Sequence, residues 1–122
     1  MSGAIVLARA LLAGGRVTWD DGRPRLAVPA EWTSALREHA DDVREALRRA
    51  TTFREQVIAS AGTAGLPILR LGEYERGCWS CGAACDRWRC LPCAVACHIA
   101  LDSYGAGLAA LVIASAAEQS AA

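Results

Sequence analysis

Residues 78–98 read CWSCGAACDRWRCLPCAVACH, and this stretch holds all six cysteines of a chain of 122 residues. Two Cys-x-x-Cys pairs stand in it, Cys78 with Cys81 and Cys90 with Cys93, eight residues apart. A two-residue spacer lets both thiolates of a pair converge on one ion, and two pairs supply the four sulfurs of a tetrahedral structural zinc site. Gly82 permits a tight knuckle behind the first pair. The second pair opens LPCAVACHIAL, which reads as a helix with Pro92 at an early position. The positive end of that helix favours thiolates. The stretch therefore predicts a Zn2+ ion held by Cys78, Cys81, Cys90 and Cys93. Cys85 and Cys97 read as small buried apolar residues. Substitution of a ligand by Cys85, Cys97 or His98 is the secondary reading.

Other thiol chemistries fit less well. WRCLPC is similar to the Trp-Cys-x-Pro-Cys motif of thioredoxins, but Arg89 separates Trp88 from Cys90 and no longer βαβ framework surrounds the motif. A disulfide framework needs an oxidising compartment. The first apolar segment, AIVLARALLAGG, lacks a charged start, is broken by Arg9 and leads to no small-residue cleavage site. The tail GLAALVIASAA has about half of the ~20 residues needed to span a bilayer. A cytoplasmic location with reduced thiols is expected. An iron–sulfur cluster would also use four cysteines; zinc is the expectation.

Composition narrows the function classes. Hydrophobic residues make up 53% and charged residues 21%, a balance that folds. Acidic and basic residues number 13 each, so no global field draws the chain to nucleic acid or an anionic membrane. Every basic residue is Arg, which with the abundance of Ala points to a GC-rich bacterial coding bias. No paired carboxylates, Ser/His/Asp arrangement or phosphate-cradling Gly-rich loop is present, so no enzyme chemistry is expected. His39 reads as a surface residue.

Upstream of the cysteines the pattern is α+β. Residues 4–13 read as one helix, with Ile5, Ala8 and Leu12 as its stripe, widened by Leu7 and Leu11 and stopped by Gly14–Gly15. RVTWDDGRPRLAV alternates on both sides of Asp21–Gly22, predicting a β-hairpin with Pro24 on an edge strand. From Pro29, Trp32, Leu36, Ala40, Val43 and Leu47 recur at helical spacing, as one helix or two broken near residues 39–42. TTFREQVIASAG reads as a further helix capped by Thr51 or Thr52 and ended by Gly62, Gly65 and Pro67. ILRL reads as a short strand, and GLAALVIASAAEQ as a last helix.

The run ARALLAGGRVTWDDGRPRLAVPAEWTSALREHADDVREAL resembles the TubC type of N-terminal docking domain. Leu7, Leu11, Gly15, Val17, Leu26, Pro29, Trp32, Leu36, Val43 and Leu47 carry the pattern. The resemblance implies a homodimeric helix–hairpin–helix module whose exposed strand receives a short segment of a partner protein. The cysteine stretch resembles zinc ribbon and treble-clef fingers. The expected organisation is a docking-like module over residues 1–50, a helical connector over 51–77, and a zinc-binding finger with C-terminal helices over 78–122. A module of about 50 residues buries little surface by itself, so Leu7, Leu11, Trp32, Leu36 and Leu47 are expected to seek cover in a dimer. The expected function is that of a small non-enzymatic adaptor binding a protein partner. The alternative is a nucleic-acid-binding accessory protein of a mobile element, using Arg87, Arg89, Trp79 and Trp88.

Overall fold

Ser2 starts the first helix, its hydroxyl accepting from the Ile5 N–H at 3.4 Å, a side-chain cap on the third helical residue. This helix, α1 (Gly3–Leu12), ends where Gly14 takes a φ of 112° and Gly15 donates back to the Ala10 carbonyl. Eight of its ten residues are buried, so α1 has an apolar surface nearly all the way round and sits inside the fold. Leu12, expected on the stripe, is instead exposed, and the buried set runs through Ala4, Ile5, Leu7, Ala8 and Leu11. The structure is a computed structural model that describes residues 2–62 and 67–121.

The hairpin follows as predicted. Strands β1 (Arg16–Asp20) and β2 (Arg23–Ala27) pair antiparallel with Val17 opposite Leu26 and Trp19 opposite Pro24. Asp21 and Gly22 make the turn at φ 52° and 77°, the left-handed pair that a two-residue hairpin loop needs. Val17, Trp19, Pro24 and Leu26 face the protein, while Arg16, Thr18, Asp20, Arg23 and Arg25 face outward.

A 3-10 turn (Ala30–Trp32) leads into α2 (Thr33–Glu38), and the chain breaks at His39 before α3 (Ala40–Ser60). The break expected within residues 39–42 is there. No helix starts at Thr51 or Thr52: α3 runs through them, and the Thr51 hydroxyl donates to the Leu47 carbonyl at 2.8 Å. The boundary expected at residue 50 thus falls inside a continuous helix. Gly62 follows the helix end with a φ of 81°, whereas Gly65 lies outside the described residues. Residues 68–71 form no strand; Leu69, at φ 58°, turns inward and is buried. Then come α4 (Leu91–Ala100) and α5 (Ala106–Ala121).

One core joins these parts. α1 packs on α3, α4 and α5, and α3 lies along α4. Leu7, Leu11 and Leu36 share a buried cluster with Phe53, Val95, Ile99 and Leu108. Of the apolar stripe, Leu7, Leu11 and Leu36 are buried within the chain, and Trp32 and Leu47 are half-buried against the same core. Burial of each such leucine contributes about 2 kcal/mol. Tyr104, in the loop between α4 and α5, accepts from the Val17 N–H at 3.3 Å and so fastens the hairpin to the C-terminal part.

Candidate metal centre

The first cysteine pair sits on a knuckle. Gly82 donates to the Cys78 carbonyl and Cys78 to the Ala83 carbonyl, each at 2.8 Å. Gly82 holds a φ of 78° with the Tyr74 ring lying over it, so a side chain there would meet both strain and the ring. The second pair sits at a helix start: Cys90 precedes the first residue of α4 and Cys93 is its third. The intervening residues 82–89 form no strands, but the Trp79 N–H donates to the Trp88 carbonyl at 2.9 Å, tying the two arms together.

This arrangement brings Cys78, Cys81, Cys90 and Cys93 together, with all four sulfurs within 4.8 Å of one another. Cys81 and Cys90 are 3.6 Å apart. A tetrahedron with metal–sulfur bonds of ~2.3 Å has edges of about 3.8 Å, so the four sulfurs need only small shifts to close on an ion. Cys78 and Cys93 are fully buried, and Cys81 and Cys90 are half-buried. The four thiols fit a metal site, and among the described residues no other such group of His, Cys, Asp or Glu is present.

The protons on these sulfurs are unevenly held. The Cys93 thiol donates to Cys90 and pulls it down to about 4, with burial opposing. Cys93, the donor in that contact and buried beside the Cys90 sulfur, is pushed up. Burial alone would raise Cys78, but the N–H groups of Cys90, Cys81 and Ser80 bring it down. Burial raises Cys81, against the Ala83 N–H that points at its sulfur. A metal ion would displace the remaining protons.

The remaining cysteines stand apart from this group. Cys85 donates to the Arg87 carbonyl at 3.1 Å. Cys97 lies in the core on α4, where burial pushes its thiol up to about 11. His98 meets the Ser103 carbonyl through Nδ1 at 3.2 Å.

Around the centre, side chains fix the finger to what precedes it. Ser80 is buried and donates to the Leu69 carbonyl at 2.6 Å, while Arg89 Nε donates to the Ser80 hydroxyl at 2.8 Å. Arg89, one of the four residues of the nucleic-acid alternative, is thus engaged within the finger. Trp79 and Trp88 stack with centroids 4.7 Å apart, and the Arg70 guanidinium lies 3.9 Å from the Trp79 ring centroid. Trp88 remains 62% exposed.

One residue at the centre escaped the sequence reading. Arg49 of α3 reaches the cluster, its Nη1 lying 3.3 Å from Cys93, 3.6 Å from Cys90 and 3.8 Å from Cys81. Its Nε is held at 2.9 Å by Glu45, whose carboxyl the hydrogen bonds from Arg48 and Arg49 bring down to about 2. A signal was present. Arg49 falls three residues after Ala46 and four before Phe53, both fully buried, so it stands on the apolar side of α3. A cation there calls for a buried anionic partner.

Fold and site together define an α+β protein with a four-cysteine centre between a knuckle and a helix start. Comparisons with protein-family models, curated proteins and solved structures give no match to this chain.

Proposed function

We propose that the chain is a small non-enzymatic adaptor in which a structural zinc ion fixes the finger and the hairpin offers an edge to a protein partner. The observation that carries the reading is the closed four-sulfur cluster. Four protein ligands leave no open position for substrate, which is the mark of a structural site. Thiolates also select soft or borderline metals over magnesium and calcium. Metal analysis of protein purified without added metal should find about one zinc per chain. An iron content with visible colour would replace zinc by iron, and no metal at all would remove this half of the reading.

The adaptor half is supported by the geometry of β1. The two-residue turn makes Asp20 and Arg23 the closing hydrogen-bonded pair, so alternation turns the polar backbone groups of Val17 and Trp19 away from β2. Tyr104 engages the Val17 amide. Beside this edge runs a cleft of about 510 Å3 lined by Arg16, Trp19, Arg54, Asp102 and Tyr104. An extended segment adding to β1 would lie there. Hydrogen exchange on a co-purified complex should show the Trp19 amide protected by the partner; protection confined to α5 would move the interface elsewhere. Self-association, implied by the docking-domain resemblance, is tested by sedimentation of the full chain over a range of concentrations. The exposed ring of Trp88 favours one second reading, base stacking on a single-stranded nucleic acid, whose signature is affinity that falls steeply with salt.

A further inference from the structure

The four sulfurs differ in what donates to them. Cys78 receives backbone N–H groups from Ser80, Cys81 and Cys90. Cys81 receives the Ala83 N–H and Cys90 the Cys93 N–H. Arg49 comes from a different part of the fold, thirty-two to forty-four positions away, and its Nη1 faces the three sulfurs other than Cys78. Its shortest contact is to Cys93. The side chain is 17% exposed, and the Glu45 carboxylate one turn earlier fixes its direction.

We propose that Arg49 is the charge-compensating donor of the metal centre, and that the occupied centre thereby clamps α3 to the finger. This inference rests on the zinc reading above. A divalent ion with four thiolates carries a net charge of −2, costly to hold at a half-buried site. A guanidinium against three of the four sulfurs halves that charge through charge-assisted N–H donation. It also withdraws electron density from Cys81, Cys90 and Cys93, which makes those thiolates poorer nucleophiles towards electrophiles and oxidants. Arg49 is a positioning residue: it contacts the sulfurs and not the metal.

The test compares the full-length wild type with Arg49→Met, Arg49→Lys and Glu45→Gln. Zinc affinity is measured by competition with a chromogenic chelator, and thiolate reactivity by the rate of zinc release under iodoacetamide. Loss of an outer-sphere partner typically costs ~10–100-fold in metal affinity, and Arg49→Met should fall in that range. Zinc release should be faster in the same variant. Arg49→Lys, which keeps the charge but not the planar fork, should recover part of both.

A merely structural role would leave the electronic structure of the centre unchanged, so cobalt-substituted protein supplies a third readout. Removing the guanidinium raises the energy of the sulfur lone pairs, and the thiolate-to-cobalt charge-transfer band should move to longer wavelength. Should Arg49→Met fail to fold, Glu45→Gln tests the same point, because it frees the guanidinium to turn away while leaving α3 chemically intact. Wild-type affinity, release rate and cobalt spectrum in the folded variants would overturn the inference while leaving zinc in place. A wild type that binds no metal would overturn the zinc reading itself.

Discussion

Arg49 and Cys93 stand forty-four positions apart in the chain, yet the guanidinium Nη1 lies 3.3 Å from the cysteine sulfur. One belongs to the long helix after the hairpin and the other to the first turn of α4, so the contact spans two segments that sequence reading assigned to different modules. Because α3 also packs along α4, the four-cysteine cluster lies at a joint of the fold.

Metal removal should therefore loosen more than the finger. Structural zinc contributes on the order of 10 kcal/mol in small fingers. Cys90→Ser should lose the ion, and both this variant and the wild type in strong chelator should lose helical signal beyond that of α4 alone. Circular dichroism melts with and without chelator measure this. An unchanged melting temperature in chelator would show that the centre is not structural.

Cys85 should be dispensable. It stands outside the four-sulfur group and donates only to a nearby carbonyl, a contact that a serine hydroxyl can reproduce. Cys85→Ser is expected to keep one metal per chain and to change stability by no more than about 0.5 kcal/mol. A fall in metal stoichiometry would identify Cys85 as a ligand.

Cys97 gives the fold a dependence on alkaline pH. Its thiol is raised by burial from 9.0 to about 11, so the folded state holds the proton more tightly than the unfolded chain. The contribution is complete below pH 9 and is lost as pH rises through 11, amounting to about 3 kcal/mol. Urea unfolding between pH 8 and 11 should show this decline in the wild type and a flatter profile in Cys97→Ala. The alanine variant starts from a lower stability because it leaves a small cavity. Parallel profiles would assign the decline to other groups.

Gly77 should tolerate no side chain. It holds a φ of 76°, and a Cβ built on it would stand 2.6 Å from the carbonyl oxygens of Ala83 and Gly82. Left-handed backbone costs an ordinary residue about 1–2 kcal/mol, and the clash with the knuckle backbone adds to it. Gly77→Ala should weaken metal binding by distorting the turn that carries Cys78 and Cys81. Gly62→Ala is the matched control, with a similar φ of 81° and no described residue within 4 Å of the added Cβ, and should cost the backbone strain alone. Equal effects of the two substitutions on metal affinity would dismiss the knuckle argument.

The elements with local chemistry were the readable ones. Asp21–Gly22 announces its turn because few pairs accept two left-handed residues in succession, and Gly14–Gly15 marks the end of α1 for a related reason. The four cysteines that meet are the two spaced pairs, where spacing alone carries geometry. Thr51 misled because a threonine hydroxyl caps a helix or bonds back to the carbonyl four residues earlier with equal ease, and here it does the second. In ILRL the alternation of Leu69 and Leu71 about Arg70 imitates a strand, but Ser80 and Gln56 satisfy this backbone through side chains. Arg49 went unread because its charge outweighs its register on the buried side of α3. Much of the cover over α1 comes from α4 and α5, about ninety residues on, and no local pattern shows a contact that distant.

The enclosure of α1 has a consequence in time. Helix α1 is made well before α4 and α5, two of the three helices that shelter it, and at ~5–20 residues per second the interval is on the order of 5–20 s. During that interval Ile5, Leu7 and Leu11 have at most α3 to cover them, on a nascent chain that has no complete core to place them in. Newly made chains therefore pass through a stage at which a chaperone or a neighbouring ribosome's product competes for the same leucines, and anything that slows translation between the hairpin and α4 prolongs that exposure.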